Sequence, residues 1–277
     1  MKARLDIMLV ERGLAPSREK AQALILAGKG RVEGMDAPKA GSRVGEGAEI
    51  VVTGKPHPYV GRGGVKLEAA LREFEVDPAG LVCMDIGAST GGFTHCLLLH
   101  GAKRVYAVDV GYGQLAWEVR NDPRVVVLER TNIRKLTYET VGEAMDLVVV
   151  DVSFIALAKV LREAARFLGG RAAGGSPGGR VIGLVKPQFE AGREHVGKGG
   201  VVRDEAVHQA VLERVSQAGA ELGWETLGQM PSPIAGKKSG NREFLVLWGQ
   251  PDPSASPPAG QPGPERQGHQ TPKPPAP

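Results

Sequence analysis

The segment VCMDIGASTGGFTHCLLLHGAKRVYAVDV, residues 82–110, constrains this 277-residue chain more than any other. Leu81 to Ile86 is apolar enough for a buried strand, a glycine-rich turn follows, and a helix is expected from about Gly92 to His100. Arg104 to Val110 then reads as a second strand. Such a unit belongs to a parallel sheet that binds its ligand outside the carboxyl ends of the strands. Gly87, Gly91 and Gly92 let backbone approach a ligand without a Cβ clash. Asp109, 24 positions after Asp85, is placed to accept both hydroxyls of a ribose. The loop lacks the G-x-G-x-x-G spacing that seats a pyrophosphate, and no Gly-Lys-Ser/Thr ends it as in a phosphate-binding ATP loop. A carboxylate entering the loop at Asp85 would repel phosphates but suits an ammonium and a sulfonium. The expected cofactor is S-adenosyl-L-methionine.

Further strands are expected at Val125 to Leu128, Asp146 to Val152, Arg180 to Lys186, Glu225 to Gln229 and Glu243 to Trp248, with helices over about Ile155 to Phe167 and Glu205 to Leu222. The fold class is therefore α/β, a Rossmann-like doubly wound sheet. Asp151 closes the apolar run LVVVDVSFI and Lys186 closes VIGLVKPQFE, with Pro187 favouring an extended backbone before it. Either one alone reads as an exposed strand end; at neighbouring strand ends they read as a site.

Residues 1–60 form a separate unit and its linker, 61–249 the sheet domain, and 250–277 a tail. In the first unit Leu5, Met8 and Leu9 recur at helical spacing, and Pro16 and Ser17 introduce a second helix with Ala21, Leu24 and Ile25 on one face. Short β-like runs follow at Arg31 to Val32 and Glu49 to Val52, so the unit is a small α+β domain. Arg4, Arg12, Arg18, Lys20, Lys29 and Arg31 could track a phosphate backbone, although Glu11 and Glu19 between them also fit an ordinary solvated face. A net charge of +4 is too small to decide, since only its placement matters. Half of the 20 prolines lie in residues 251–277, which carry no aromatic residue and are expected to be a disordered, polyproline-like tail. Cys83 and Cys96 lack metal-ligand or disulfide-framework spacing and read as reduced core residues; no metal is expected. Charged residues interrupt the N-terminal apolar positions and no membrane-length apolar run occurs, so a cytoplasmic protein is expected.

RLDIMLVERGLAPSREKAQALILAGKGRVEG resembles the alpha-L RNA-binding domain, widened afterwards by GMDAPKAG. GRGGVKLEAAL, the glycine-loop segment, ERTNIRKL, DLVVVDVSFIAL, VIGLVKPQFEAGREHVGKGGVVRD and SGNREFLVLW, in that order, resemble the TlyA family of haemolysin-like rRNA methyltransferases, whose catalytic domain is similar to FtsJ-type 2′-O-ribose methyltransferases. The resemblance implies a class I methyltransferase sheet and a Lys-Asp-Lys-Glu tetrad at Lys66, Asp151, Lys186 and Glu243. Gly61 and His95 depart from the family pattern and lie outside the tetrad. It further implies cofactor contacts at Asp85, Gly87, Ser89, Gly91, Gly92, Phe93, Asp109 and Asn132. RNA contacts are expected at Arg4, Arg18, Lys20, Lys29, Arg31, at Lys198 in a mobile Gly192–Gly200 segment, and at Lys237 and Lys238. The implied substrate is cytidine of ribosomal RNA, in the small subunit, the large subunit or both.

Methyl transfer from a sulfonium is an in-line displacement, so the chain must hold a ribose hydroxyl against the methyl and receive its proton. Lys186 is the expected proton acceptor: crowding of Lys66 against Lys186 would make one amine easier to deprotonate, while Asp151 and Glu243 orient the ammonium groups. Two other readings stay open. A membrane-active haemolysin would need an amphipathic or spanning segment, and a non-catalytic ribosome-assembly factor would need no intact pocket.

Overall fold

A computed structural model describes residues 2–15, 17–26, 28–35, 38–52, 57–169, 178–236 and 240–250. Lys237, Lys238, most of the glycine-rich insertion at 169–180 and the proline-rich tail beyond residue 250 lie outside them.

The first unit contains β1 (Lys2–Arg4), α1 (Leu5–Glu11), α2 (Arg18–Leu26), β2 (Gly30–Val32), β3 (Arg43–Gly45) and β4 (Ile50–Val52). β1 pairs antiparallel with β3, and β2 with β4. Leu5, Met8 and Leu9 pack with Ala21 and Ile25 of α2 and with Val32, Val44 and Ile50 of the strands. The apolar spacing anticipates both helices. β1 and β3 were not expected, because three-residue strands are too short to display a period of two.

The second unit runs α3 (Gly63–Glu73), β5 (Val82–Ile86), α4 (Gly92–Leu99), β6 (Arg104–Val108), α5 (Trp117–Arg120), β7 (Val125–Leu128), α6 (Tyr138–Val141), β8 (Leu147–Val150), α7 (Leu157–Ala164), β9 (Arg180–Val185), α8 (Pro187–Glu190), α9 (Glu205–Ala220), β10 (Glu225–Pro231) and β11 (Phe244–Gly249). Seven strands lie in the order β10-β11-β9-β8-β5-β6-β7. The five from β9 to β7 are parallel, whereas β11 and β10 are antiparallel to their neighbours.

Both sheet faces are covered, which is why these strands read as unbroken apolar runs. Met84, Ile86, Val148, Val150 and Trp248 pack with Leu161 and Phe167 in one layer; Cys83, Leu147, Val149 and Leu245 pack with Leu67, Leu71 and Leu97 in the other. Alternate residues of one strand thus serve opposite layers. Cys83 and Cys96 are buried free thiols, and burial pushes the Cys96 thiol up to about 12.

Three strands end sooner than their apolar runs suggest, at Val108, Val150 and Val185. Asp109, Asp151 and Lys186 are consequently the first residues beyond the ladder, and Glu243 stands one residue before antiparallel β11. All four reach the same edge. From β5 the chain builds outward through β6 and β7, then returns through β8 and β9 on the other side, so the strand order reverses between β5 and β8. That crevice is where a ligand of such a sheet is expected.

Candidate active site

The loop after β5 is shaped by what lies against it. Gly87 has φ +90°, and a Cβ there would run into the Asp151 carbonyl; only glycine lets β5 and β8 close up at this point. Gly91, at φ +89°, precedes α4. On the other side, a Cβ on Gly92 would stand 3.1 Å from the Gly64 amide, so the start of α3 rests on the loop. The result is a cavity of about 110 Å³ lined by Gly63, Gly87, Ala88, Ser89, Thr90, Gly92, Phe93 and Asp151. A larger cavity exists in the first unit, lined by the expected RNA contact Arg31 but by none of the residues expected to hold the cofactor or transfer the methyl.

Asp109 binds the loop from the adjacent strand. Its Oδ2 accepts the Ser89 amide at 2.7 Å and its Oδ1 the Gly111 amide at 2.6 Å. Each oxygen keeps a second lone pair, so two hydroxyls can still be accepted. Glycine backbone, a half-exposed carboxylate and the open strand-end edge beside the small cavity fit a nucleoside carrying a sulfonium. Asn132 stands in the turn after β7, where its Oδ1 accepts the Arg134 amide at 3.0 Å.

Asp85 departs from expectation. It is fully buried beneath the loop and does not line the cavity. Its Oδ2 accepts both the amide and the hydroxyl of Thr94, at 2.9 and 2.6 Å, and so caps the third residue of α4. Oδ1 has no hydrogen-bond partner among the described residues. Burial pushes this carboxyl up to about 7, the Thr94 bonds oppose the shift, and the nearby Asp151 and Asp109 charges add to it.

Lys66, on α3, forms a buried ion pair with Glu243. Lys186 Nζ lies 2.6 Å from Asp151 Oδ1 and 2.9 Å from Ser153 Oγ, with the two charged side chains 12% and 24% exposed. Each lysine is thus matched to its own carboxylate, Lys66 to Glu243 and Lys186 to Asp151. The helix carrying Lys66 was not anticipated. GRGG begins it with glycines that look like a loop, yet Gly64 lies under the Tyr59 ring, where a side chain would not fit, and a Cβ on Gly63 would crowd Phe93 at 3.2 Å.

Two further groups were missed. Asn241 is fully buried, accepts the Val202 amide at 2.9 Å and donates to the Gly200 carbonyl at 2.8 Å. With the bridge between Gly197 and Val201 it pins the segment bearing exposed Lys198 beside the Glu243 strand, so that segment is more built than its glycines suggest. Phe154, three residues after Asp151, is 90% exposed at φ +66°, its ring 5.0 Å from that of Phe189. A left-handed backbone under a bulky side chain is strained, costing about 1–2 kcal/mol, and such strain concentrates at functional sites.

In the first unit Arg4 and Arg18 meet on Asp6, whereas Arg31 lines the groove between α2 and β2 and Lys20 is exposed on α2. Lys29 is half-buried. Arg12 is used structurally, donating to the Ala48 and Glu46 carbonyls.

Residues 59–250 match the FtsJ-like methyltransferase family and residues 3–50 the S4 domain. The 16S/23S rRNA (cytidine-2′-O)-methyltransferase TlyA of Mycobacterium tuberculosis is 50% identical over 248 residues, 89% of each chain. The chain belongs to the TlyA family of FtsJ-like methyltransferases. Hemolysin A of Brachyspira hyodysenteriae is 40% identical across 88% of this chain and 98% of its own. A solved Streptococcus thermophilus structure that bears a hemolysin name matches with a TM-score of 0.68 and 40% identity, covering 91% of this chain and 89% of that one. Among the described residues no helix is long and apolar enough to cross a membrane.

Proposed function

We propose that this methyltransferase transfers a methyl group from S-adenosyl-L-methionine to the 2′-hydroxyl of cytidine in ribosomal RNA of the small subunit, the large subunit or both. The observation that carries the reading is the meeting of two lysine–carboxylate pairs with a glycine loop on one strand-end edge. The 50% identity to a protein named for that reaction supports it. In this reading residues 1–60 bind RNA, 61–249 catalyse, and 250–277 are a dispensable tail.

Gly87, Ser89, Gly91, Gly92 and Phe93 would hold the cofactor, with Asp109 on its ribose; Asp85 shapes the loop from below, and Asn132 supports the neighbouring turn. The cofactor supplies an electrophilic methyl on a sulfonium. Lys186, ion-paired with Asp151 and donating a hydrogen bond to Ser153 Oγ, is the side chain placed to receive the hydroxyl proton on its amine lone pair. Lys66, held by Glu243, orients the hydroxyl oxygen. Phe154 offers the target base an exposed ring on which to stack once it leaves its helix. No part of this scheme requires a metal.

The test is to incubate ribosomal subunits from cells lacking the enzyme with the protein and methyl-labelled cofactor, then map 2′-O-methyl sites. Label on cytidine ribose is expected; the absence of label on both subunits overturns the reading.

A further inference from the structure

Asp6 is fully buried, yet the donors around it come from side chains that reach solvent. Its Oδ1 accepts Arg4 Nε and the Ile7 amide, both at 3.0 Å. Its Oδ2 accepts Arg4 Nη2 at 3.1 Å, Arg18 Nε at 3.0 Å and Gln22 Nε2 at 2.8 Å. One carboxylate therefore gathers two guanidiniums from different elements, β1 and α2. Arg4 and its hydrogen bonds hold the carboxyl well below the usual range, so Asp6 stays charged at any working pH.

Arg18 uses one of its five N–H donors on Asp6 and Arg4 uses two; the rest belong to side chains that are 52% and 44% exposed. Backbone fixes the same spot: the Asp6 amide donates to the Ala40 carbonyl and the Leu5 amide to Ser42. The face of Arg4 lies over Gly41, where a Cβ would be 3.8 Å from its guanidinium carbon. In the β1–β3 pair Arg43 stands directly opposite Arg4, and cross-strand partners share a face. Arg43 is exposed and adds a third cation to that face.

We propose that Asp6 is a positioning residue for a two-arginine clamp, Arg4 and Arg18 with Arg43 beside them, that takes one backbone phosphate of the RNA. The proposal rests on the RNA-binding reading of the first unit and deepens it. Two guanidiniums on one carboxylate leave one positive charge and Arg43 beside them adds another, so the face keeps a net positive charge that attracts a phosphodiester. The planar forks suit phosphate oxygens in pairs, and holding them in advance removes rotamer entropy that binding would otherwise lose.

The sign of the effect separates positioning from bulk charge. Asp6→Asn removes a negative charge, so long-range attraction alone predicts tighter RNA binding. The clamp predicts the reverse. The experiment measures binding of the full-length protein to deproteinised 16S and 23S rRNA between 50 and 200 mM salt, values spanning roughly the range over which phosphate contacts are felt. Asp6→Asn is expected to bind about tenfold more weakly, as for loss of an ordered charge-assisted contact, and to lower the salt slope by about one. Its melting temperature and cofactor affinity report whether the fold and the second unit are intact. Equal or tighter binding by a folded Asp6→Asn overturns the clamp. Should that variant fail to fold, Arg4→Lys with Arg18→Lys keeps both charges and removes both forks. Weaker binding then supports the clamp, and wild-type binding overturns it. If the wild-type protein itself shows no salt-dependent rRNA binding, the RNA reading of the unit fails first, which is a distinct result.

Discussion

Asp85 offers the most quantitative test of how the glycine loop is built. The carboxyl is completely buried, one oxygen caps α4 through Thr94, and the other has no partner among the described residues. Burial, with the charges of Asp151 and Asp109, raises it to about 7, from an ordinary 3.8. Between these values the folded chain binds a proton that the unfolded chain has released, so stability falls as pH rises. The contribution is fully present below the unfolded value and gone above about 7. About three units at roughly 1.4 kcal/mol each make a total near 4 kcal/mol. Asp85→Asn keeps an acceptor for Thr94 and removes the titration. Urea unfolding can be followed by tryptophan fluorescence, since Trp117, Trp224 and Trp248 all lie in the second unit and Trp248 is fully buried. Relative to wild type, the variant should gain about 1.4 kcal/mol per pH unit from about pH 5 to pH 7 and then level off. Taking the difference between the two proteins cancels the other titrating groups, including Glu190, which burial also raises. A wild-type-minus-variant difference that stays constant over this interval refutes the account of a carboxyl held neutral by burial.

Other outcomes follow from the two ion pairs and the exposed ring. Lys186→Ala should abolish methyl transfer while cofactor affinity, measured by calorimetry, stays within a few-fold of wild type; retained turnover sinks its role as proton acceptor. Glu243→Gln leaves Lys66 buried without its counter-charge and should destabilise the second unit by about 3–5 kcal/mol, visible as a lowered urea midpoint, as well as reducing turnover. Phe154→Ala removes an exposed ring that supports little core but keeps the Cβ that makes the left-handed backbone strained, so stability should stay close to wild type; the apparent affinity for rRNA substrate should weaken by about 1–3 kcal/mol, the range for one base–aromatic stack. Unchanged steady-state kinetics on ribosomal subunits would remove Phe154 from the site.

How legible these features were depends on whether the signal was local. Val148 to Val150 and Val181 to Val185 read as strands because both sheet faces are buried, and an apolar run needs no partner to be recognised. Asp151 and Lys186 stood out as charges ending such runs. α3 was hidden for the opposite reason: Gly61, Gly63 and Gly64 are there to let Tyr59, Phe93 and Thr90 approach, a tertiary requirement that looks like a loop in sequence. Asp85 entering a glycine loop resembles a ligand contact, and only its burial and its bonds to Thr94 show where the carboxylate is spent. Arg12 counts as surface charge until its donors are found on the Ala48 and Glu46 carbonyls. Pairing choices between distant charges, such as Lys66 with Glu243 across 177 positions, carry no sequence period at all.

The two lysine pairs also differ in a way that assigns them different work. Lys66 and Glu243 are both buried, and an ion pair withdrawn from water tolerates the loss of neither partner, which suits a fixed post that keeps α3 against the start of β11. Lys186 and Asp151 stand at the ends of adjacent parallel strands with some exposure, and Ser153 provides a neutral second acceptor. In the proposed role of Lys186 as proton acceptor, this partial exposure leaves a route for the proton to solvent, and Asp151 and Ser153 hold the side chain in place. Ser153→Ala should therefore lower turnover more than it lowers stability, because it removes an aim-setting bond from Nζ and leaves the Asp151 charge in place. A stability loss with unchanged turnover would remove the Ser153 bond from the chemistry and refute its role in aiming Lys186.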